Sequence, residues 1–266
     1  HFFKKHTLSY GFELAAEQVN YDDLYDEDNL NNAVYVQDKY QLSNKTTVDL
    51  GLRYDKHQKY GSEISPKLAL NYRISNNLNF VAAAGRSFRP PTYMDLYYPG
   101  FSNPDLEPEI TDSYELGLKY SDQLCSREIT LYNREISDMI SPDPISYLPE
   151  NIDSALINGL EISINRKFKK LELGLNYNYL DAENKSTDEQ IGDMPYHKYN
   201  LNFTYKINQD NKIALKNSYT GERNDYISGA EMSSYFISDL IYNRNLSQNT
   251  NLSLEVKNLF DKDYEV

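Results

Sequence analysis

Few side chains in this sequence are placed to do catalytic chemistry. The four histidines are scattered and lack the close spacings from which zinc sites are built; they are His1, His6, His57 and His197. Cys125 is the only cysteine, so the chain can form neither an internal disulfide nor a cysteine-based zinc site. No G-x-S-x-G motif or paired-carboxylate pattern is present. The sequence therefore predicts no enzyme activity and no cofactor.

A cluster of carboxylates follows the first predicted strand. Its members are Asp22, Asp23, Asp26, Glu27 and Asp28. Calcium prefers such oxygen ligands, but the segment lacks the glycine and the terminal glutamate of an EF-hand loop. We therefore favour a solvated acidic loop over residues 21–31, and calcium binding stays open as the alternative.

The best candidates for binding chemistry lie in a long loop that contains residues 90–110. Prolines at five positions prevent a regular strand there, and a long loop rich in aromatic residues is usually functional or packed on something. We expect a ligand to contact Arg89, Tyr93, Tyr97, Tyr98 and Phe101. Two alternatives remain open: the aromatic rings pack on the loop itself, and Arg86 and Arg89 pair with acidic neighbours rather than with an anionic ligand.

Composition narrows the class of protein. The chain has 266 residues and a net charge of -13, which argues against nucleic acid as a partner, because phosphate binding requires basic patches. No apolar run is long enough for a transmembrane helix. The sequence contains 25 tyrosines and no tryptophan, a usage that fits an interfacial aromatic girdle or an ordinary tyrosine-rich β protein.

Alternation of apolar and polar residues predicts β-strands along the whole chain. We count thirteen: 6–18, 31–43, 46–57, 64–74, 78–89, 111–120, 124–137, 155–168, 171–181, 195–206, 212–222, 234–245 and 250–258. Short polar turns and long loops alternate between them. That asymmetry, with strands long enough to cross a bilayer at a tilt, predicts an all-β, antiparallel up-and-down transmembrane barrel rather than a soluble sandwich.

The alternation also predicts which side chains face lipid. In the strand at 171–181, leucines and tyrosines occupy one face, and polar residues with a glycine occupy the other. We predict that Leu173, Leu175, Leu201 and Phe203 face lipid. We predict that Glu172, Asn176 and Asn202 face a polar lumen.

Three segments carry a resemblance to a known family. Residues 88–120 read FRPPTYMDLYYPGFSNPDLEPEITDSYELGLKY; residues 136–140 read ISDMI, with NGLE at 158–161; residues 258–265 read NLFDKDYE. Their order and spacing resemble those of TonB-dependent outer-membrane receptors. The resemblance covers essentially the whole chain and is nearest to the cobalamin-receptor branch.

The resemblance implies a 22-stranded barrel in the bacterial outer membrane, with an N-terminal plug domain in its lumen. It implies uptake of a scarce small molecule driven by the TonB complex. The expected cargo is cobalamin, with a ferric siderophore or haem as the alternative; a passive porin-like or structural barrel is the alternative from another class. Since the chain opens without a signal peptide, we expect residues 1–266 to be one barrel fragment that lacks the plug and the closing strand.

Overall fold

A computed structural model of the chain describes residues 5–22, 24–143, 145–225 and 228–264. Fourteen strands form one sheet. They are β1 (His6–Tyr21), β2 (Tyr25–Gln41), β3 (Thr46–His57), β4 (Gly61–Arg73), β5 (Leu78–Arg89), β6 (Glu109–Ser121), β7 (Cys125–Pro142), β8 (Pro149–Lys167), β9 (Leu171–Asn184), β10 (Glu189–Gln190), β11 (His197–Lys206), β12 (Asn211–Thr220), β15 (Tyr235–Ser247) and β16 (Thr250–Val256). Two further strands, β13 (Arg223–Asn224) and β14 (Glu231–Met232), form a separate hairpin. One helical turn, α1 (Tyr93–Tyr97), lies between β5 and β6.

The sheet follows the chain from one edge to the other. Apart from the short β10, which pairs only with β9, thirteen strands succeed one another in chain order from β1 to β16. Each neighbouring pair is antiparallel; β1 with β2 and β15 with β16 are the outermost pairs. The predicted up-and-down topology and strand count are therefore confirmed. No pairing joins β1 to β16 among the described residues, so the sheet is a partial barrel.

Cross-strand register gives the sheet two chemically distinct faces. Leu175 pairs with Leu201 and Leu173 with Phe203, so the predicted apolar residues share one face. Because successive side chains alternate in direction, Glu172, Asn176 and Asn202 lie on the opposite face, as predicted. A slip of one residue would exchange the two faces along a whole strand.

The apolar face exposes more side-chain surface than a protein surrounded by water normally does. In β1 the side chains of Tyr10, Phe12 and Leu14 are 77%, 76% and 70% exposed. Leu116 and Leu131, paired across β6 and β7, are more than half exposed on the same face. A contiguous exposed apolar band of this kind marks contact with another apolar phase, and in a barrel that phase is lipid.

No helix in the described ranges is both long and apolar enough to cross a lipid bilayer.

The acidic segment differs from the prediction. It is not an open loop: β1 and β2 stay paired up to Tyr21 and Tyr25, and only a tight turn separates them. Asp26 lies opposite Asn20, and Asp28 lies opposite Gln18. Because these carboxylates face amides rather than other carboxylates, like-charge repulsion does not break the ladder. Asp23 lies outside the described residues, as do His1 and Glu265.

Two other strands are longer than predicted. β7 continues to Pro142 and β8 begins at Pro149, so this hairpin rises beyond the predicted ends at 137 and 155. At its raised end the lumen-facing Ala155 and Ile157 are buried with Ala182 and Ile191. This small apolar cluster stabilises strand pairing beyond the region that a membrane would support.

Candidate functional site

The loop between β5 and β6 carries a short helical turn that sequence periodicity did not predict. Thr92 caps α1: the Asp95 backbone N–H donates to Thr92 Oγ1 at 3.1 Å, and the Thr92 N–H donates to Asp95 Oδ2 at 2.9 Å. The signal was present as the Thr-x-x-Asp spacing of a capping box. Leu96, only 1% exposed, anchors the turn. The predicted ligand-binding tyrosines therefore project from an ordered turn rather than from extended chain.

One side of the loop is fastened to the hairpins β1–β2 and β3–β4. The phenol of Tyr93 donates to Glu17 Oε2 at 2.8 Å and accepts from Asn29 Nδ2 at 3.0 Å. The Tyr60 hydroxyl donates to the Pro91 carbonyl at 3.3 Å. Burial raises the pKa of both phenols. Both therefore stay protonated and keep donating at neutral pH.

The other side of the loop is fastened to the hairpin β7–β8. The Asn103 side chain donates to the Pro149 carbonyl at 3.1 Å. Asn151 accepts from the Glu107 N–H at 2.9 Å and donates back to the Glu107 carbonyl at 3.0 Å. A carboxylate oxygen of Glu109 accepts from the Ile140 N–H at 2.7 Å. The loop is thus bonded at both ends to strands that are not its own sequence neighbours.

The two arginines of the predicted mouth are both paired with carboxylates. Arg89 makes a two-bond contact with Glu109, with Nε to Oε2 at 2.7 Å, and Glu109 is buried. Arg86 makes the same contact with Asp112, at 2.8 and 2.7 Å. Ala82 pairs with Leu116 on the apolar face of the sheet. Arg86 lies four residues further along the same strand and therefore points to that face too. The alternative of acidic neighbours is therefore the one observed for both side chains.

Five tyrosines lie in and around α1, and two of them come from strands that the sequence did not single out. The ring of Tyr97 lies 6.2 Å from Tyr93 and 6.1 Å from Tyr25, centre to centre. Tyr98 lies 6.0 Å from Tyr21, which in turn lies 5.7 Å from Tyr25. We call these five residues the tyrosine cluster. The sequence analysis missed Tyr21 and Tyr25 because it placed both in an acidic loop, whereas they end β1 and begin β2.

Lys59 supplies a cation to this cluster. Its Nζ donates to the Tyr97 hydroxyl at 2.7 Å and stands 4.2 Å from the centre of the same ring. His57 supports the turn that carries Lys59: it stacks on Tyr60 at 4.2 Å and accepts from the Lys59 backbone N–H at 3.0 Å.

Phe101 stands apart from the tyrosine cluster. It is half-buried, and its backbone N–H donates to the Tyr98 carbonyl at 3.0 Å. Across the described part of the chain, no ring contact joins Phe101 to a tyrosine. The structure therefore brings Tyr93, Tyr97 and Tyr98 together and leaves Phe101 beside them.

The side chains of the cluster offer chemistry that is suited to recognition of a ligand. Aromatic faces and phenol hydroxyls offer a large contact area with a few directed hydrogen bonds. Within the described ranges, no group of three or more histidine, cysteine, aspartate or glutamate side chains is arranged to hold a metal ion.

Comparison with known sequences gives one matching family. Residues 5–259 match the family described as TonB dependent receptor-like, beta-barrel. The chain is 31% identical over 249 residues to the vitamin B12 transporter BtuB of Photobacterium profundum, covering 90% of this chain and 41% of that protein. It is 30% identical to the protein of the same name from Vibrio vulnificus, covering 88% of this chain and 38% of that one. The chain thus spans less than half the length of these curated relatives.

Comparison with solved structures supports the same fold. The ferric enterobactin receptor of Pseudomonas aeruginosa, a Q482A mutant in complex with enterobactin, superposes with a TM-score of 0.85 at 21% identity. The match covers 97% of this chain and 46% of that one. At this level of identity the similarity establishes the barrel architecture alone.

Proposed function

The chain belongs to the TonB-dependent receptor β-barrel family, and from that premise we propose that it forms part of the wall and the ligand-binding mouth of a cobalamin receptor. It is a protein of the bacterial outer membrane. The family consists of receptors and transporters that bind small molecules. We propose that this chain likewise serves transport and catalyses no reaction.

The observation that carries the proposal is the tyrosine cluster on its fastened loop. The cluster stands at the end of the sheet that carries the long loop between β5 and β6, opposite the short turns that follow β2, β4, β6 and β8. Long loops mark the extracellular end of an outer-membrane barrel. Its rings are already held in place by contacts such as Tyr93 with Glu17, so little side-chain entropy is lost when a ligand arrives. Its ring faces and phenol hydroxyls suit a ligand that combines apolar surface with polar substituents. The two relatives named as vitamin B12 transporters support cobalamin as that ligand.

We propose distinct roles for the candidate residues. Tyr97, Tyr98 and Phe101 present ring surface to the ligand. Tyr93 holds the loop through Glu17 and Asn29. Arg89, paired with Glu109 yet 53% exposed, offers its remaining N–H groups at the base of the loop.

We also propose that the chain works within a longer receptor with an N-terminal plug, through which the TonB complex acts. The sheet edges at β1 and β16 carry backbone groups that lipid cannot satisfy, so they require pairing strands. If so, the chain by itself will not insert as a closed barrel. A protease-resistant, heat-modifiable band formed by residues 1–266 alone would contradict this proposal.

Equilibrium binding tests the cargo. The receptor encoded by the gene that carries this chain is purified in detergent and titrated with cobalamin, then with a ferric catecholate siderophore. We expect saturable binding of cobalamin that excess siderophore does not displace. Binding of the siderophore alone would reassign the cargo, and diffusion of unrelated solutes through the reconstituted protein without saturable binding would indicate a passive pore.

A further inference from the structure

A groove crosses the lipid-facing surface of the sheet between β3 and β6. Four residues of that face lie side by side in the cross-strand register and line the groove: Leu50, Leu68, Ala84 and Tyr114. Ala84 has the smallest side chain of the four, while the other three are about half exposed and form the walls on either side of it. The depression has a volume of about 730 Å³. We call it the first groove.

The first groove runs obliquely through the membrane. Leu50 is five residues beyond the short turn that ends at Lys45, and Arg86, which also lines the groove, is nine residues beyond the turn that ends at Asn77. A strand that rises about 3.3 Å per residue at a tilt of about 40° places Leu50 roughly 13 Å and Arg86 roughly 23 Å above these turns. Because the apolar band of such a barrel is about 25 Å tall, the groove extends from the hydrocarbon core to the head-group layer of the outer leaflet.

The upper end of the first groove carries the ion pair of Arg86 and Asp112. Arg86 Nε and Nη2 both donate to this carboxylate, and Arg86 Nη1 has no hydrogen-bond partner among the residues that the structure describes. Glu135 lies opposite Asp112 on the same face of the sheet. This end of the groove therefore offers a free guanidinium donor beside two carboxylate acceptors.

A second groove lies beside the first, between β6 and β9. It has a volume of about 500 Å³, and its lining includes three leucines of the same face: Leu116, Leu131 and Leu160. Tyr114 lines both grooves and forms the ridge between them. At the upper end of the second groove, Asn133 Nδ2 donates to Asn158 Oδ1 at 2.8 Å. This bond leaves the Asn133 oxygen as an acceptor and the Asn158 nitrogen as a donor.

The two grooves together fit one kind of lipid. Two apolar grooves on either side of a ridge suit a molecule with several acyl chains, because each chain that packs closely on the wall gains dispersion contacts. The polar groups above the grooves extend from β5 to β8, roughly 14 Å at the usual strand spacing, so the head group must be broad. A simple anion would meet Asp112 and Glu135 as well as Arg86. A phosphorylated sugar instead accepts from the guanidinium and donates its hydroxyls to the carboxylates.

We propose that the two grooves form a binding site for lipid A, the acylated and phosphorylated disaccharide of the outer leaflet of the outer membrane. Its acyl chains lie in both grooves on either side of Tyr114. Its phosphate accepts from Arg86, and its hydroxyl and amide groups bond Asp112, Asn133 and Asn158. The site faces the membrane rather than the lumen, so the inference holds whichever cargo the receptor carries.

The test measures binding of lipid A in a bilayer that contains none. The receptor encoded by the gene that carries this chain is purified, stripped of lipid and placed in phosphatidylcholine nanodiscs. Labelled lipid A is then titrated, alone and against an excess of phosphatidylethanolamine, which has a small head group and two chains. We expect saturable binding that phosphatidylethanolamine does not displace.

Two variants alter the site, and each has a matched control. Ala84→Phe fills the first groove, and Arg86→Gln/Asp112→Asn removes both charges of the ion pair together. Ala16→Phe adds the same bulk to the same face on β1, and Arg166→Gln removes an arginine from that face beside the turn between β8 and β9. Each site variant should weaken binding of lipid A about tenfold, as expected for lost charge-assisted bonds or lost packing, and the controls should leave it unchanged.

Heat-modifiability on gels shows whether each variant assembles. Should Arg86→Gln/Asp112→Asn assemble poorly, Asn158→Ala makes the same comparison at the second groove and leaves the ion pair intact. Displacement of lipid A by phosphatidylethanolamine would overturn the proposal, since the grooves would then hold any membrane lipid. Unchanged binding in the site variants, or an equal loss in the controls, would overturn it as well.

Discussion

Tyr132 and Gly159 lie directly opposite each other on β7 and β8, and the ring of Tyr132 occupies the space that a side chain at 159 would need. A Cβ at 159 would lie 2.0 Å from Tyr132 Cζ. Arg134 covers the same ring, with its guanidinium carbon 4.7 Å from the ring centre. The ring of Tyr132 on β7 thus lies over Gly159 on β8.

Gly159→Ala should therefore destabilise the barrel by about 1–3 kcal/mol, because the ring must leave its rotamer to admit the methyl group. Gly117→Ala is the matched control, since its Cβ would meet nothing closer than 3.4 Å. The free energy of unfolding of both variants is measured by denaturant titration of the receptor in lipid bilayers. Similar stability of the two variants would show that Tyr132 moves aside without cost. The double variant with Tyr132→Ala should be less destabilised than the sum of the single changes.

Leu175→Arg should destabilise the barrel by about 2–4 kcal/mol, because it places a charge in the hydrocarbon layer. Asn202→Arg on the neighbouring strand places the same charge in the lumen and should cost much less. The same unfolding experiment compares them, and spin labels at both positions report which reagent reaches each. A label at Leu175 quenched by an aqueous reagent rather than by oxygen dissolved in lipid would reverse the assignment of faces.

Replacing Tyr97, Tyr98 and Phe101 together with alanine should weaken cobalamin binding at least about tenfold, given the contribution of aromatic contacts. Barrel assembly should be unaffected, since the loop is held by other residues. Phe260→Ala provides the control: it removes an aromatic side chain, 71% exposed, from another segment at the same end of the sheet. Unchanged affinity in the triple variant would make these rings packing residues only and would move the binding surface elsewhere.

The loop should loosen at high pH. Burial raises the pKa of Tyr93 and Tyr60 above the ordinary value, so folding favours their protonated forms. Their contribution to stability is complete below about pH 10, the unfolded pKa, and is lost as the pH rises from there towards the folded pKa. A spin label at Asp105 should gain mobility above that pH.

Tyr93→Phe and Tyr60→Phe are the controls for this pH effect. Together they remove both hydroxyls, so the label should be mobile at neutral pH and should change little as the pH rises. A pH response as large as that of the unaltered loop would show that other groups cause it.

The sequence predicted the sheet well because each strand has one face towards lipid and one towards a polar lumen, which imposes an alternation of apolar and polar residues. It predicted the strand ends poorly where the sheet rises above the membrane, since there the alternation weakens: the acidic hairpin at Tyr21–Tyr25 and the raised end of β7–β8 read as loops. The site was predicted only in part. Tyr93 meets Glu17 across 76 positions of sequence, and Lys59 meets Tyr97 across 38. Such contacts depend on the register of several strands at once, which no local pattern contains.

The loop between β5 and β6 connects strands that are far apart in the sheet. Tyr93 of the loop hydrogen-bonds to Glu17 on β1, and Glu107 of the loop hydrogen-bonds to Asn151 on β8. Strands β1 to β8 are therefore joined at this end of the sheet by side-chain hydrogen bonds as well as by strand pairing.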